Sequence, residues 1–208
     1  EREPVCIDYR RYRVCGMGPP SSGGIAVAQI LKLVEPLDLG KGPAGAMSGR
    51  ALHLIAEAEK LAFADRDAFI GDPDFVPAPM GLLNAGYLDI RRALIDPPTA
   101  MARPSPGAPP QSASRSYGDD ATIEAAGTSH FSILDGDGNM LAMTTTIEAG
   151  FGSRLWAAGF LLNNELTDFA FRSVDRNGRP LANAVAPGKR PRSSMAPTIV
   201  FDDAGRPW

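Results

Sequence analysis

Apolar residues recur at helical spacing in the first half of the chain and at strand spacing in the second. Ile25, Val27, Ile30, Leu31, Leu33 and Val34 follow Pro19-Pro20-Ser21-Ser22-Gly23-Gly24 and end before Pro36. This pattern predicts a well-buried helix with a serine at its N-cap. From Ala46 to Phe69, Met47, Leu52, Leu54, Ile55, Ala58, Leu61, Ala62 and Phe69 repeat at helical intervals with Glu57, Glu59, Lys60 and Asp65 among them. That stretch predicts the longest helix. Gly71-Asp72-Pro73-Asp74-Phe75 stops it, and a shorter helix is predicted near Ala85 to Ile95. From Asp96 to Asp120 the chain is rich in Pro, Ser, Ala and Gly, and it reads as an exposed, mobile connector.

Strand patterns occupy the rest. Near the start, Cys6 and Cys15 flank an eight-residue stretch that predicts a hairpin with Arg10-Arg11 at its tip and the two sulfurs facing across the strands. The geometry permits a disulfide; two unconnected small apolar side chains fit equally well. After Ser129, the run Phe131, Ile133 and Leu134, the turn Asp135-Gly136-Asp137-Gly138-Asn139, and the run Met140 to Ile147 predict a second hairpin. Phe160 to Asn164 and Pro197 to Phe201 read as further strands. Helices before strands, without an internal repeat, give an α+β layered domain in place of a parallel βαβ sheet.

With 208 residues, 44% hydrophobic and 22% charged, the chain is long enough for one sizeable core. A formal net charge of -3 leaves no basic face to neutralise a row of phosphates, so nucleic acid is excluded as a partner. No apolar run approaches the roughly 20 residues of a membrane-spanning helix. The chain opens on Glu1-Arg2-Glu3-Pro4, which is no secretion leader, so any such signal is expected upstream. His53, His130 and the two cysteines lack zinc-site spacing, and no metal or cofactor is expected. Asp135 to Asn139 places oxygens at alternate positions as a calcium loop does, but Met140 stands where that loop needs glycine. It reads as the hairpin turn.

The candidate chemistry lies where Ala125-Ala126-Gly127 gives way to Thr128-Ser129-His130 at the start of a predicted buried strand. A threonine hydroxyl there can attack the Gly127 carbonyl; hydrolysis of the ester then frees an N-terminal threonine whose α-amine is its own general base. The tripeptide alone is too common to carry this. Strand alternation turns His130 to the same face as Thr128, and the threonine's amine leaves it a structural role.

Several blocks in order change the weight: Thr128-Ser129-His130-Phe131-Ser132, Asp135 to Asn139, Thr144-Thr145-Thr146-Ile147-Glu148, Phe151-Gly152-Ser153, Leu161 to Phe169 and Pro187 to Met195. Together they resemble the start of the small subunit of γ-glutamyltranspeptidases. Pro19 to Gly24, Ala64-Asp65-Arg66 and Gly71 to Phe75 resemble the end of that family's large subunit. The resemblance implies a partial αββα four-layer sandwich of the N-terminal-nucleophile hydrolases. It makes residues 1–127 the end of the large-subunit region, with the connector at about 96–127, and residues 128–208 the start of the small-subunit region.

By the same resemblance Gly127-Thr128 is the self-cleavage site, Thr128 the nucleophile and Thr146 a hydroxyl partner beside it. Glu148, Glu165 and Asp168 match positions that bind the α-ammonium of a γ-glutamyl group, for which carboxylates are suited. Ser193 and Ser194 match the pair that contacts the α-carboxylate, and Lys189, Arg190 and Arg192 are expected to make that region positive. The implied reaction is γ-glutamyl transfer or hydrolysis of glutathione and related amides, with water or an amino acid as acceptor, in the periplasm or outside the cell. The two segments of the precursor are expected to pair with each other.

The chain departs from the family at Ser129, where threonine is common, and at Glu148, where many members have asparagine. Residues 170–186 read as a mobile cover over the site. The chain starts after the family's carboxylate-clamping arginine and stops before its oxyanion-hole glycines, so by itself it is expected to be an uncleaved fragment of low activity. The rival readings are a cephalosporin-type acylase using the same threonine, and a scaffold or binding domain that does not process itself.

Overall fold

A computed structural model describes residues 2–77, 80–110, 117–122 and 127–208. Strands β1 (Val5–Tyr9) and β2 (Tyr12–Gly16) form the predicted hairpin, with Arg10 in the left-handed region at its tip. Cys6 lies opposite Cys15 in the register, and the two are joined by a disulfide. The open choice at that pair is settled by the direct cross-strand pairing, which brings the Cα atoms to 4.1 Å.

Helix α1 (Gly23–Val34) begins where predicted, but its N-cap works differently. Ser22 is helical at φ -82° and makes no side-chain cap; its hydroxyl donates instead to the Ser193 carbonyl at 2.8 Å. A distant loop has taken the group that a helix end ordinarily uses. The helix predicted over 46–69 is divided. Residues Gly42–Ala46 form a short α2, Ser48 turns extended and accepts from the Ala51 amide at 3.2 Å, and α3 runs Gly49–Phe69. The break follows from that cap, which needs a non-helical backbone. Helix α4 spans Ala85–Arg92, capped by Asn84.

Leu33, Val34, Leu54, Ala58, Leu61, Leu88 and Ile95 fill the space between α1, α3 and α4. A second cluster, Val5, Ile25, Ile70, Leu82 and Tyr87, joins the helices to the first hairpin. Each valine, leucine or isoleucine among them contributes about 1.5–3 kcal/mol when fully buried.

The charges of α3 are less exposed than helical periodicity suggests. Asp65 is wholly buried and binds four groups: Gln29 Nε2 at 2.6 Å, the Tyr87 hydroxyl at 2.8 Å, the Gly107 amide at 2.9 Å and Arg91 Nη2 at 3.0 Å. Burial, then the Asp65 charge, pushes the Tyr87 phenol far above its ordinary value, so it stays a donor. Glu57 accepts from Lys60 at 2.7 Å and from the Met101 amide at 2.8 Å. Burial opposes ionisation of Glu57, but these two bonds win and its carboxyl titrates below the usual range.

Two of these partners, Met101 and Gly107, belong to the segment read as a mobile connector. The described residues 96–110 instead lie along the helices, because backbone amides there satisfy buried carboxylates. Asp120 is likewise buried against Arg192 at 3.3 Å. Connector residues 111–116 and 123–126, which include Ala125 and Ala126, lie outside the described residues.

Strands β3 (Thr128–Leu134) and β4 (Met140–Thr146) make the second hairpin, closed by Asp135, whose side chain accepts from the amides of Asp137 and Asn139. The expectation of a buried strand fails here, since every residue of β3 is exposed and Phe131, Ile133 and Leu134 face solvent. Its partner is better covered: alternate residues of β4, from Met140 to Thr146, are half-buried, and this strand lies near the Thr198–Phe201 segment.

Two-residue strands β5 (Trp156–Ala157) and β6 (Phe160–Leu161) pair with each other, shorter than the strand read over 160–164 because Asn163 and Asn164 leave the pairing: the Asn163 side chain accepts from the Glu165 amide and that of Asn164 from the Ala149 amide. Strand β7 (Thr198–Phe201) joins the other side of β2, giving an antiparallel sheet ordered β1-β2-β7. Residues 170–186 are pinned and do not form a free cover: Leu181, Ala182 and Asn183 are buried, and Asn183 bonds both the Asp168 carbonyl and the Arg192 amide.

Replacing the buried Asp65 carboxylate strips the buried Arg91 cation of its counter-charge and takes the acceptor from Gln29, Tyr87 and the Gly107 amide. Asp65→Ala is therefore expected to cost about 3–5 kcal/mol in urea unfolding, whereas Tyr87→Phe, which removes one bond, costs about 1 kcal/mol.

Candidate functional site

The β3–β4 register sets the geometry, because it places Thr128 directly opposite Thr146. Thr146 Oγ1 accepts from the Glu148 amide at 2.8 Å and donates to the Gly127 carbonyl at 2.8 Å. The first bond fixes the direction of the second, so a hydroxyl proton points at the carbonyl that precedes Thr128. Gly127 itself sits against Glu148: a Cβ there would lie 1.9 Å from the Glu148 carbonyl oxygen. Only glycine lets the two backbone segments approach this closely. Glu148 holds a left-handed φ of 72°, which costs a non-glycine residue on the order of 1–3 kcal/mol and turns the chain toward the site.

Glu165 and Asp168 stand on a 3-10 turn, Glu165–Asp168, that is tied to the β4 end by the Asn164 side chain accepting from the Ala149 amide at 2.9 Å. Carboxylate oxygens of Glu148, Glu165 and Asp168 all lie within 4.8 Å of one another. Burial first, and the Glu148 charge second, raise the Glu165 carboxyl above its ordinary value. Three convergent acids suit one cation, and among the described residues this is the group with spacing to hold a metal ion.

The opposite wall is the loop carrying Ser193 and Ser194, which lies beside the Pro19 to Ser22 segment. The Ser22 amide donates to the Ser193 carbonyl at 2.7 Å, the Ser193 amide to the Pro20 carbonyl at 3.1 Å, and the Ser21 hydroxyl to the Met195 carbonyl. These bonds explain why the Pro-Pro-Ser-Ser-Gly-Gly segment precedes a helix yet does not cap it.

The expected site residues come together. Gly127, Thr128, Thr146, Glu148, Glu165, Asp168, Ser193 and Ser194 line one cleft of about 610 Å³, with Phe63, His130, Thr144, Met195 and Ala196 between them. A larger concavity of about 750 Å³ lies over the β1-β2-β7 sheet, near Arg11, Tyr12 and Asp202, and contains none of them. His130 bonds hydroxyls at both ring nitrogens, Thr144 at 2.8 Å and Ser132 at 3.1 Å, consistent with a structural role.

The basic residues do not behave as expected. Arg190 grips Asp72 through Nε at 3.0 Å and Nη2 at 2.7 Å, and Arg192 is buried against Asp67 and Asp120. Lys189 donates to the Ala182 carbonyl at 2.7 Å, and burial lowers its ammonium pKa. Their charges join loops together, and no positive surface faces the serines from these three side chains. Sequence reasoning also passed over Phe63 and Arg66. Phe63 carries no sequence signal beyond an apolar residue on an outer helical face. Arg66 stood in a matched block, Ala64-Asp65-Arg66, without a role, and the structure finds its Nη2 2.6 Å from Ser194 Oγ.

A family profile described as Gamma-glutamyltranspeptidase matches residues 1–208. The glutathione hydrolase proenzyme of Escherichia coli (strain K12) is 42% identical over 222 residues, covering 100% of this chain and 35% of its own. The Acylase ACY 1 proenzyme of Pseudomonas sp. (strain SE83) is 37% identical over 205 residues, covering 97% of this chain and 33% of its own. The crystal structure of cephalosporin acylase from Bacillus halodurans matches with a TM-score of 0.76 at 27% identity, over 99% of this chain and 33% of that one. The chain thus spans about a third of the length of the curated relatives it matches. These likenesses bear out the α+β class and the portion of the N-terminal-nucleophile hydrolase fold expected from the sequence. The chain belongs to the γ-glutamyltranspeptidase family.

Proposed function

We propose that the protein carrying this chain cleaves itself at Gly127-Thr128 and then, through the freed Thr128, transfers or hydrolyses γ-glutamyl groups of glutathione and related amides. The observation that carries this reading is the Thr146 hydroxyl, 2.8 Å from the Gly127 carbonyl and next to the candidate nucleophile. A donor already aimed at the carbonyl stabilises the negative charge that grows on its oxygen during attack. After scission Thr128 Oγ1 attacks the γ-carbonyl of a donor, the α-amine of Thr128 takes its proton, the amine product leaves, and water or an acceptor amine resolves the ester.

The two ends of the cleft suit the two ends of a glutamyl group. Glu148, Glu165 and Asp168 supply charge for an α-ammonium, and Ser193 and Ser194 supply hydroxyls for an α-carboxylate. A glutaryl group lacks the ammonium and would leave three carboxylates facing an uncharged methylene, which supports the γ-glutamyl reading over that of an acylase such as the relatives named above. The segments before and after the scission remain paired through Ser22 with Ser193 and Asp72 with Arg190. The Cys6–Cys15 disulfide supports a periplasmic or secreted setting.

Three outcomes test this. Mass spectrometry of the full-length protein is expected to find two polypeptides divided at Gly127-Thr128, one intact polypeptide in Thr128→Ala, and scission slowed about 10²- to 10³-fold in Thr146→Ala; a native protein that stays whole yet turns over γ-glutamyl donors sinks the proposal. Turnover of a γ-glutamyl anilide is expected to exceed that of a glutaryl anilide, and the reverse order favours the acylase reading. Because Glu165 holds its proton above the ordinary 4.5, KM for the γ-glutamyl donor is expected to fall as pH rises through that shifted range. Ionisation supplies the charge that attracts the ammonium, so Glu165→Gln is expected to raise KM and lose this phase, as read from initial rates across pH.

A further inference from the structure

Ser194 forms part of the cleft wall, and the guanidinium of Arg66 stands behind it. Nη2 of Arg66 donates to Ser194 Oγ at 2.6 Å, Nε to Ser22 Oγ at 2.8 Å, and Nη1 to Asp67 Oδ1 at 2.8 Å. Every nitrogen of the fork has an acceptor, on a side chain only 3% exposed, so its plane is held on three sides. Ser22 passes the constraint onward, since its hydroxyl donates to the Ser193 carbonyl at 2.8 Å and its amide to the same oxygen at 2.7 Å. One side chain of α3 therefore fixes both serines, one through its hydroxyl and the other through its backbone.

We infer that Arg66 is a positioning residue for the carboxylate end of the cleft, holding the Ser194 hydroxyl as a strengthened donor toward an anionic group of the substrate. This rests on the assignment of the serine pair to the α-carboxylate given above. A hydroxyl that accepts from a cation becomes polarised, and its own O–H is a better donor. The effect does not require net positive charge in the cleft. Arg66 and the neighbouring Arg192 both contact Asp67, and Arg192 also contacts Asp120, so the local charges are matched and what remains directed is the aligned bond. Lysine at position 66 keeps the charge but, with a single nitrogen, cannot serve three acceptors in a plane.

The test compares two donors on the processed full-length enzyme, a γ-glutamyl anilide and a 4-aminobutyryl anilide that keeps the ammonium and lacks the carboxylate. Arg66→Lys is expected to raise KM for the γ-glutamyl donor about tenfold, with kcat nearly unchanged and the constants for the 4-aminobutyryl donor unmoved. Ser194→Ala is expected to produce the same selective rise, and adding Arg66→Lys to it to bring little more. Equal losses on both donors, or no loss on either, overturn the role of Arg66 while leaving the serine assignment intact. A wild-type enzyme that does not distinguish the two donors overturns the serine assignment itself, and this inference with it. Should Arg66→Lys fail to fold, Ser22→Ala frees the Nε edge with a smaller change, and the same selective rise in KM is expected from it; an unselective effect counts against the inference.

Discussion

Carboxylates and guanidiniums taken out of water hold this molecule together across long stretches of sequence. Asp65, Arg66 and Asp72 lie within eight positions on α3 and the loop that follows, and each reaches a partner far along the chain: Gly107, Ser194 and Arg190. A charge inside a protein is costly unless its bonds are complete. That requirement makes these contacts exacting, because a loop that strays leaves an ion without partners. The cleft inherits its shape from this, since the wall bearing Ser193 and Ser194 has no strand of its own to define it and is fixed by Ser21, Ser22 and Arg66.

The site combines two kinds of precision. Around Thr128 the placement is that of a sheet, in which a cross-strand pair sets the separation of two hydroxyl-bearing side chains. Around the acids and serines it comes from irregular loops anchored by side chains. Regular pairing suits the step where a carbonyl must be met at a defined angle.

Much of this was legible in the residues. Helical periodicity located α1, α3 and α4, and the turn at Asp135 to Asn139 located the β3–β4 pair, because these are local patterns with local causes. The cleft residues followed from a resemblance covering most of the chain, and they do converge. What escaped were contacts whose partners lie far apart. Nothing in Thr198 to Phe201 announces that it pairs with Arg13 to Gly16. Met101 and Gly107 sit in a stretch whose composition signals solvent, yet their amides serve Glu57 and Asp65. Lys189, Arg190 and Arg192 advertise a positive surface, and only the fold reveals the aspartates that claim two of them. The exposure of β3 was equally invisible, since an apolar alternation states which side wants cover but not what supplies it.

The five-residue turn from Asp135 to Asn139 lies seven positions from Thr128, roughly 20 Å along a strand. Its Asp135 carboxylate gathers the amides of Asp137 and Asn139 and the Asn139 side chain, leaving the turn little latitude in length. Side chains alternate faces along each strand, so gaining or losing one residue in the turn inverts one strand relative to the other. The turn is in effect a gauge block for the far end of the hairpin: whether two threonines meet beside the Gly127 carbonyl is decided by how many residues a remote, solvent-washed bend contains.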